Sequence, residues 1–409
     1  MAAATFRSCK SFLPRRRLSD FAALAPHPPS GSDVPSSPSS KPISQLISIL
    51  RAESNPEKII DLFQSSTHLP RFYSHRPLHQ IFVKKLHLLR RPDLVERLLE
   101  YQKSDPAAPK SEGFFIRIMS LYTKASMPDH AFRTFEQIPV RTEKSLCALL
   151  AAYLGQRRFD RVRELFYSVP AELGIVPGVA SHNMILTALC ETGDVDAACK
   201  LLDEMRMKKN LEPGIIAYNS ILNGYLKKDD KAGFVDTLKS IYSKGITPNL
   251  FTYNIRMLDF CKKSESFKAE ELLDVVISKG MQPNFSAFNT VITGFCEELD
   301  FESAIRVFKK MKSMKNANGK ALFSPNADTF LALICGLVDN GDFVLAQKIC
   351  RECLRMKYAP PFETMKALIN GLVKDSKVVD AKYLAVMMRK VAKGDALDSW
   401  TKLEAELPL

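Results

Sequence analysis

The chain has few of the residue patterns from which catalytic sites and membrane spans are built. None of its seven histidines begins a His-x-Glu motif, and no Gly-rich phosphate loop, Gly-x-Ser-x-Gly motif or nuclease-type aspartate cluster occurs. Its one Cys-x-x-Cys, Cys350 to Cys353, has no second pair or histidine nearby to complete a four-ligand zinc site. No run of about 18 apolar residues indicates a membrane span. We therefore expect no enzyme, metal site, cofactor or small-molecule substrate.

Nine cysteines, an odd number without framework spacing, favour reduced thiols over a disulfide scaffold. Three of them, Cys190, Cys261 and Cys296, recur at one position of a helical pattern. At such a position a cysteine acts as a small hydrophobic residue. We expect these three side chains in a core.

Three consecutive segments share one pattern: IIAYNSILNGYLKK from Ile215, LFTYNIRMLDFCKK from Leu250 and FSAFNTVITGFCEE from Phe285. Their asparagines, at positions 219, 254 and 289, are each 35 residues apart. A fixed period of this length is typical of stacked helical hairpins. Weaker copies continue on both sides, and the matching positions are Ile116, Cys147, Asn183, Leu331 and Lys366.

Each unit predicts two helices. The first helix carries apolar residues at helical spacing, and the second contains an alanine followed by large apolar residues, as in Ala304, Val307, Phe308 and Met311. Small residues allow two helices to approach closely. A Pro-Asn or Pro-Gly turn closes the unit, because proline ends a helix and the next residue tolerates turn geometry.

These segments resemble the pentatricopeptide repeat family, which is abundant in land-plant organelles. The resemblance is carried by Tyr218-Asn219 and its equivalents, by Gly-aromatic pairs such as Gly224-Tyr225, and by Gly-x-x-Pro before the next unit, as at Gly245 to Pro248. It covers about 112–393 and is strong over 179–326. The Trp-based signature of tetratricopeptide repeats is missing, since Trp400 lies outside the repeats. The resemblance implies an all-α, right-handed superhelical solenoid of helix-turn-helix repeats of about 35 residues.

The resulting division has six parts. Residues 1–41 are a predicted transit peptide and Pro/Ser linker, because five basic residues precede the first acid, Asp20. An arginine-rich leader favours the mitochondrial matrix, and the chloroplast remains the alternative. An attached, disordered basic tail is the other interpretation of this segment. Degenerate helical repeats (42–111), weak repeats (112–178), four clear repeats (179–326), two C-terminal repeats (327–395) and a tail (396–409) follow.

Beyond residue 41 the chain holds 52 Lys/Arg and 43 Asp/Glu, a net charge of +9. A basic surface suits a polyanion, because cations that neutralise phosphates release counterions. With the family resemblance, this charge predicts single-stranded RNA or rRNA as a partner. In repeat proteins of this class one unit can read one base with two or three side chains.

The family resemblance also implies which residues read bases. The asparagine position of the first helix contacts the base edge, the last residue of the unit, just after the proline, completes the reading, and the residue three positions before the asparagine flanks the base. The implied pairs are Asn183 with Gly214, Asn219 with Asn249, Asn254 with Asn284, and Asn289 with Asn326, flanked by Ile216 and Phe251. Asn/Asn pairs resemble those that favour pyrimidines. The alternative is structural, since asparagine is also a common helix cap and turn residue.

Outside 179–326 the matching positions hold residues such as Leu331 and Pro361, which cannot select a base by hydrogen bonds. A chain with so few base-reading repeats cannot select one transcript among many. We therefore predict a general role in organellar translation, as a ribosome-associated protein whose partners are RNA and mitochondrial ribosome proteins. The alternatives are a transcript-specific processing or stability factor that binds a pyrimidine-rich strand, and a solenoid that binds only proteins.

Overall fold

A computed structural model describes residues 41–207, 211–314, 319, 322–391 and 395–407. Within these ranges the chain forms 21 α-helices, a short 3-10 helix at Phe72–Ser74 and no β-strand. The predicted transit peptide and linker lie outside the described residues, except Lys41, which begins the first helix. The all-α prediction is confirmed.

The described residues fall into two compact units, 41–240 and 241–407. The first unit contains α1 (Lys41–Ala52), α2 (Pro56–Ser65), α3 (Arg76–Leu88), α4 (Pro92–Ser104), α5 (Glu112–Lys124), α6 (Pro128–Glu136), α7 (Glu143–Gly155), α8 (Phe159–Leu173), α9 (Val179–Glu191), α10 (Val195–Met207), α11 (Ile215–Lys228) and most of α12 (Lys231–Ser243). The second contains α13 (Leu250–Lys262), α14 (Ser266–Ser278), α15 (Phe285–Glu297), α16 (Phe301–Ser313), α17 (Ala327–Asp339), α18 (Phe343–Arg355), α19 (Phe362–Lys374), α20 (Val378–Val391) and α21 (Asp395–Glu406).

The helices pack as consecutive antiparallel pairs. In the second unit α13 packs on α14, α15 on α16, α17 on α18 and α19 on α20, and each odd-numbered helix also packs on the next odd-numbered one. In the first unit α5 to α10 repeat this arrangement. Before them, α3 packs on α4, α1 packs on α3, and α2 packs on both α3 and α4; these four helices lack the sequence signature. The predicted helix-turn-helix repeat is therefore the structural unit. The division into six parts stays a prediction.

Hydrophobic periodicity explains the core. In α15 the buried residues Phe288, Val291, Ile292 and Phe295 lie three or four positions apart, and so form one face of the helix. In α16 the predicted alanine, Ala304, is fully buried, and its large apolar neighbours are buried with it. Because each pair cannot bury both faces alone, the next pair completes the core.

Close packing between successive pairs depends on glycine. A Cβ added at Gly224 would lie 2.9 Å from Val195 Cγ2 and 3.0 Å from Cys190 Cβ, and one added at Gly294 would lie 2.5 Å from Cys261 Sγ. The recurrent cysteine of one pair thus faces the glycine of the next. This contact explains both the Gly-aromatic signature and the small buried cysteines.

The predicted C-terminal tail contains the helix α21, which packs on α20. Trp400 is buried in it, with its ring centroid 4.8 Å from that of Phe362 in α19. Sequence reasoning gave this segment no structure, because it has no repeat signature. Its helix covers apolar surface at the C-terminal end of the second unit.

Candidate nucleic-acid interface

The structure places the ten predicted RNA-binding residues at equivalent positions of successive pairs. The fifth residues of α9, α11, α13 and α15 are Asn183, Asn219, Asn254 and Asn289. The residues before α11, α13, α15 and α17 are Gly214, Asn249, Asn284 and Asn326, and each is the N-cap of its helix. Ile216 and Phe251 are the half-buried second residues of α11 and α13.

The three cap asparagines have the structural role raised as the alternative. Their Oδ1 atoms accept hydrogen bonds from backbone N–H groups in the first turn: Asn249 from Thr252 at 3.1 Å, Asn284 from Ala287 at 3.0 Å and Asn326 from Thr329 at 3.0 Å. Such caps stabilise a helix start by about 1 kcal/mol. The same bonds fix which way each amide points. A structural role and a reading role are therefore compatible in these residues.

Two of the predicted pairs are in direct contact. Asn254 Nδ2 donates to Asn284 Oδ1 at 3.2 Å, and Asn289 Nδ2 donates to Asn326 Oδ1 at the same distance. The Asn183 pair has no equivalent bond, because Gly214 has no side chain. Asn219 and Asn249 belong to the two different compact units. The tertiary structure thus brings together the residues of two pairs within the second unit.

The side-chain amides of the four asparagines predicted to read bases are not openly exposed. Asn219 and Asn254 are 3 % and 2 % exposed, and Asn183 and Asn289 are half-buried. Two carbonyl oxygens, Asn183 Oδ1 and Asn254 Oδ1, are buried and have no hydrogen-bond partner among the described residues. A buried acceptor without a donor costs about 1–3 kcal/mol. Each of these atoms would gain a partner if an N–H group of a ligand reached it.

The excess positive charge lies outside the repeats that carry these asparagines. Residues 71–165, the basic segment, carry 18 Lys/Arg and 10 Asp/Glu, a net charge of +8. The rest of the chain after residue 41 carries 34 and 33. Almost the whole excess therefore belongs to the degenerate and weak repeats, which lack reading asparagines. Sequence reasoning used only the total, whereas counting charge along the chain would have found this segment.

Several cations of the basic segment have no acidic partner. Arg76, Lys84, Arg133 and Lys144 are exposed and make no ion pair with any described residue. Two nearby acids accept hydrogen bonds from neutral groups instead, Glu112 from Thr142 and Glu143 from the Gly178 N–H. These cations are available to phosphates.

Arg117 on α5 is a further cation without an acid. Its Nη1 donates to the Tyr73 carbonyl oxygen at 2.5 Å, and its guanidinium lies over the Phe114 ring, 5.3 Å from the centroid. Burial, with a smaller contribution from Arg76, lowers the pKa of Arg117. Sequence reasoning did not single out this residue, because it carries no repeat signature.

The Cys-x-x-Cys lies on α18 and both thiols are buried. Cys350 Sγ contacts Met365 Sδ at 3.4 Å, and burial raises the pKa of both thiols to about 12. Thiols of this kind are unreactive. Within the described ranges, no group of three or more His, Cys, Asp or Glu side chains is arranged to hold a metal ion. In the same part of the chain, no helix combines the length and apolar character that crossing a membrane requires.

The repeats of this chain are similar to those of known proteins. Models described as "PPR repeat" and "PPR repeat family" match residues 173–206, 213–262 and 283–339. The chain is 30 % identical over 373 residues to the small ribosomal subunit protein mL103 (rPPR7) of Arabidopsis thaliana, covering 90 % of this chain and 88 % of that protein. It is 35 % identical over 369 residues to a mitochondrial pentatricopeptide repeat-containing protein of the same plant, covering 89 % and 88 %.

Among solved structures, the crystal structure of the pentatricopeptide repeat protein PPR10 from maize is similar. Its sequence is 18 % identical, and the TM-score is 0.46. The match covers 88 % of this chain and 60 % of that structure.

Proposed function

This chain belongs to the pentatricopeptide repeat family, and we propose that it is an RNA-binding protein associated with the mitochondrial ribosome. The observation that carries the proposal is the similarity to mL103, which spans nine tenths of both chains rather than a few repeats. A second relative, the small ribosomal subunit protein mS78 (rPPR3a) of Arabidopsis thaliana, is 36 % identical over half of each chain. A mitochondrial location is supported by other relatives, which are named as mitochondrial pentatricopeptide repeat-containing proteins.

The distribution of charge supports selection of RNA by position. The basic segment has the excess cations but none of the paired amides, whereas the paired amides lie in repeats with little net charge. Phosphate contacts give affinity without sequence information. Affinity and base reading are therefore assigned to different parts of the chain. A protein built this way suits a large RNA whose place is already set by an assembly.

We further propose that the chain is not an enzyme. Matches that cover about nine tenths of the chain are with a ribosomal protein and with repeat proteins. The buried thiols, with pKa values raised to about 12, offer no nucleophile.

A second candidate is a transcript-specific factor that binds a pyrimidine-rich strand. The observation that favours it is the pair of Asn–Asn contacts, because both pairs present amide groups at equivalent positions. The chain has only four such positions, and Gly214 removes one side chain from them. We therefore place this candidate second.

We expect the protein to sediment with a mitochondrial ribosomal subunit in a sucrose gradient at moderate salt, because rRNA phosphates and ribosomal proteins would both contact it. The fraction that co-sediments should persist after mild RNase treatment that cuts exposed mRNA. Immunoblotting of gradient fractions measures this. Recovery only in light fractions, together with enrichment of one mRNA, would favour the transcript-specific candidate.

The predicted leader gives a separate test of location. Residues 1–41 fused to a fluorescent protein should enter mitochondria, because Arg7, Lys10 and Arg15 to Arg17 precede any acid. A matched fusion with these five residues replaced by glutamine should remain in the cytosol. Microscopy with a mitochondrial marker distinguishes the two. Import of the unaltered fusion only into plastids would contradict the assignment.

A further inference from the structure

The two Asn–Asn pairs of the second unit differ in one neighbouring residue. Beside the Asn289 pair, the third residue of α17 is Thr329, whose Oγ1 donates to Asn289 Oδ1 at 2.7 Å and lies equally close to Asn326 Oδ1. Beside the Asn254 pair, the third residue of α15 is Ala287, which has no hydroxyl. Asn254 Oδ1 is accordingly buried without a partner.

The orientation of each amide follows from the helix cap. The backbone N–H of Ala287 donates to Asn284 Oδ1, so that oxygen must face the helix start. Asn254 then presents Nδ2 to it, because an oxygen there would repel the other oxygen. Asn254 Oδ1 is left pointing away from the pair as an acceptor. The same reasoning from Thr329 N–H leaves Asn289 Oδ1 facing away from Asn326, where the Thr329 hydroxyl binds it.

We propose that the third residue of the following first helix decides whether a reading asparagine accepts a hydrogen bond from a base. Ala287 leaves Asn254 Oδ1 without a donor among the described residues, so that it can accept a hydrogen bond from an N–H group of a pyrimidine, such as the uracil imino or the cytosine amino group. Thr329 holds Asn289 Oδ1, and a base must compete with its hydroxyl. The inference rests on the proposed function, since it specifies how RNA is read once bound.

Burial sets a condition on this contact, because Asn254 is buried whereas Asn289 is half-buried. Asn254 is 2 % exposed, so a base that reaches it must displace the side chains that cover it. Phe251 precedes Asn254 by three residues, and helical geometry places the two on the same side of α13. A hydrogen bond made in such an enclosed place contributes more than one made in water, because the acceptor has no competing solvent.

The test is a pair of double-mutant cycles on the full chain, with a labelled oligo(U) strand and the same strand carrying C, A or G at one position. Asn254→Ala should weaken oligo(U) binding about 5–10-fold in the unaltered chain, which corresponds to one hydrogen bond. In the Ala287→Ser variant, which supplies a hydroxyl, Asn254→Ala should change the logarithm of the affinity for oligo(U) by less than about half as much as it does in the unaltered chain. Asn289→Ala should behave in the opposite way, with a small effect in the unaltered chain and a larger one in Thr329→Ala.

Thr329→Ser is the conservative control, because it keeps the hydroxyl and should restore the small effect of Asn289→Ala. Thermal melts of every variant distinguish a loss of stability, caused by a lost helix cap, from a loss of base recognition in a protein of unchanged stability. Equal costs of Asn289→Ala with and without the Thr329 hydroxyl would overturn the proposal. Binding that neither asparagine variant weakens would overturn the reading role while leaving RNA binding intact. Failure of the unaltered chain to bind any strand would overturn the proposed function as well.

Discussion

Replacing four exposed cations of the basic segment by glutamine should weaken binding to a transcript of the mitochondrial small-subunit rRNA about 10²–10³-fold near 0.1 M salt. The four residues are Arg76, Lys84, Arg133 and Lys144. Each is exposed and has no ion pair with a described residue, so its charge is free for phosphate. If all four neutralise phosphates, the slope of log affinity against log salt should become shallower by about 3.

The matched control is the same change at four exposed cations of the clear repeats, Lys200, Arg206, Lys231 and Lys309. These residues likewise make no ion pair with a described residue, and they lie on the second helices of their pairs. Both quadruple variants lose the same net charge, so a general effect of charge would weaken binding equally. Filter binding or anisotropy at several salt concentrations gives affinity and slope. Equal losses in the two variants would contradict a special role of the basic segment.

Gly294→Ala should destabilise the second unit by about 1–3 kcal/mol, because the added methyl group overpacks a dense contact. The new Cβ would lie 2.4 Å from Ser266 Oγ, 2.5 Å from Cys261 Sγ and 2.9 Å from Cys261 Cβ. Neither neighbour can move easily, since Ser266 Oγ is bonded to Glu298 at 2.5 Å and Cys261 Cβ is fixed to the backbone of α13. Urea unfolding followed by circular dichroism measures the loss.

Gly113→Ala in α5 is the matched control, because an added Cβ there meets nothing within 4 Å. That variant should be neutral or more stable by up to about 1 kcal/mol, since alanine favours a helix over glycine. The double variant Cys261→Ala with Gly294→Ala should recover part of the loss by removing the sulfur. If Gly294→Ala and Gly113→Ala had equal effects on the free energy of unfolding, the added methyl group at position 294 would fit without strain. That result would contradict close packing at Gly294.

The glycine contact has a consequence for function. Two of the four predicted reading asparagines lie five residues before a glycine of this kind, Asn219 before Gly224 and Asn289 before Gly294. The close approach at the glycine sets the spacing between successive first helices. The bond from Asn254 to Asn284 depends on the spacing at Gly294, because it joins the same two successive pairs. Gly294→Ala should therefore also weaken RNA binding at temperatures where the chain remains folded.

The sequence alone determined the repeat, its two helices and the positions at which the asparagines recur. The reason is that the period and the hydrophobic pattern are local properties, and each repeat of about 35 residues shows them again. The asparagines of α13 and α15 stand out because they recur in register. The degenerate N-terminal helices and α21 were harder to predict, because their packing needs only apolar residues and no signature.

Only the tertiary structure decided which asparagine oxygens have a hydrogen-bond partner. Asn254 Oδ1 has no hydrogen-bond donor within the described ranges, whereas Asn289 Oδ1 accepts a hydrogen bond from the Thr329 hydroxyl. The difference depends on Ala287 and Thr329, which lie more than 30 residues after these asparagines and belong to the next pair. Sequence spacing does not reveal such contacts, because they arise from the rigid stacking of one pair on another. Likewise, the total charge was visible in the sequence, but which cations lack an acidic partner depends on the folded arrangement of side chains. Local pattern therefore predicted the scaffold, and contacts between pairs decided the hydrogen bonds of Asn254 and Asn289.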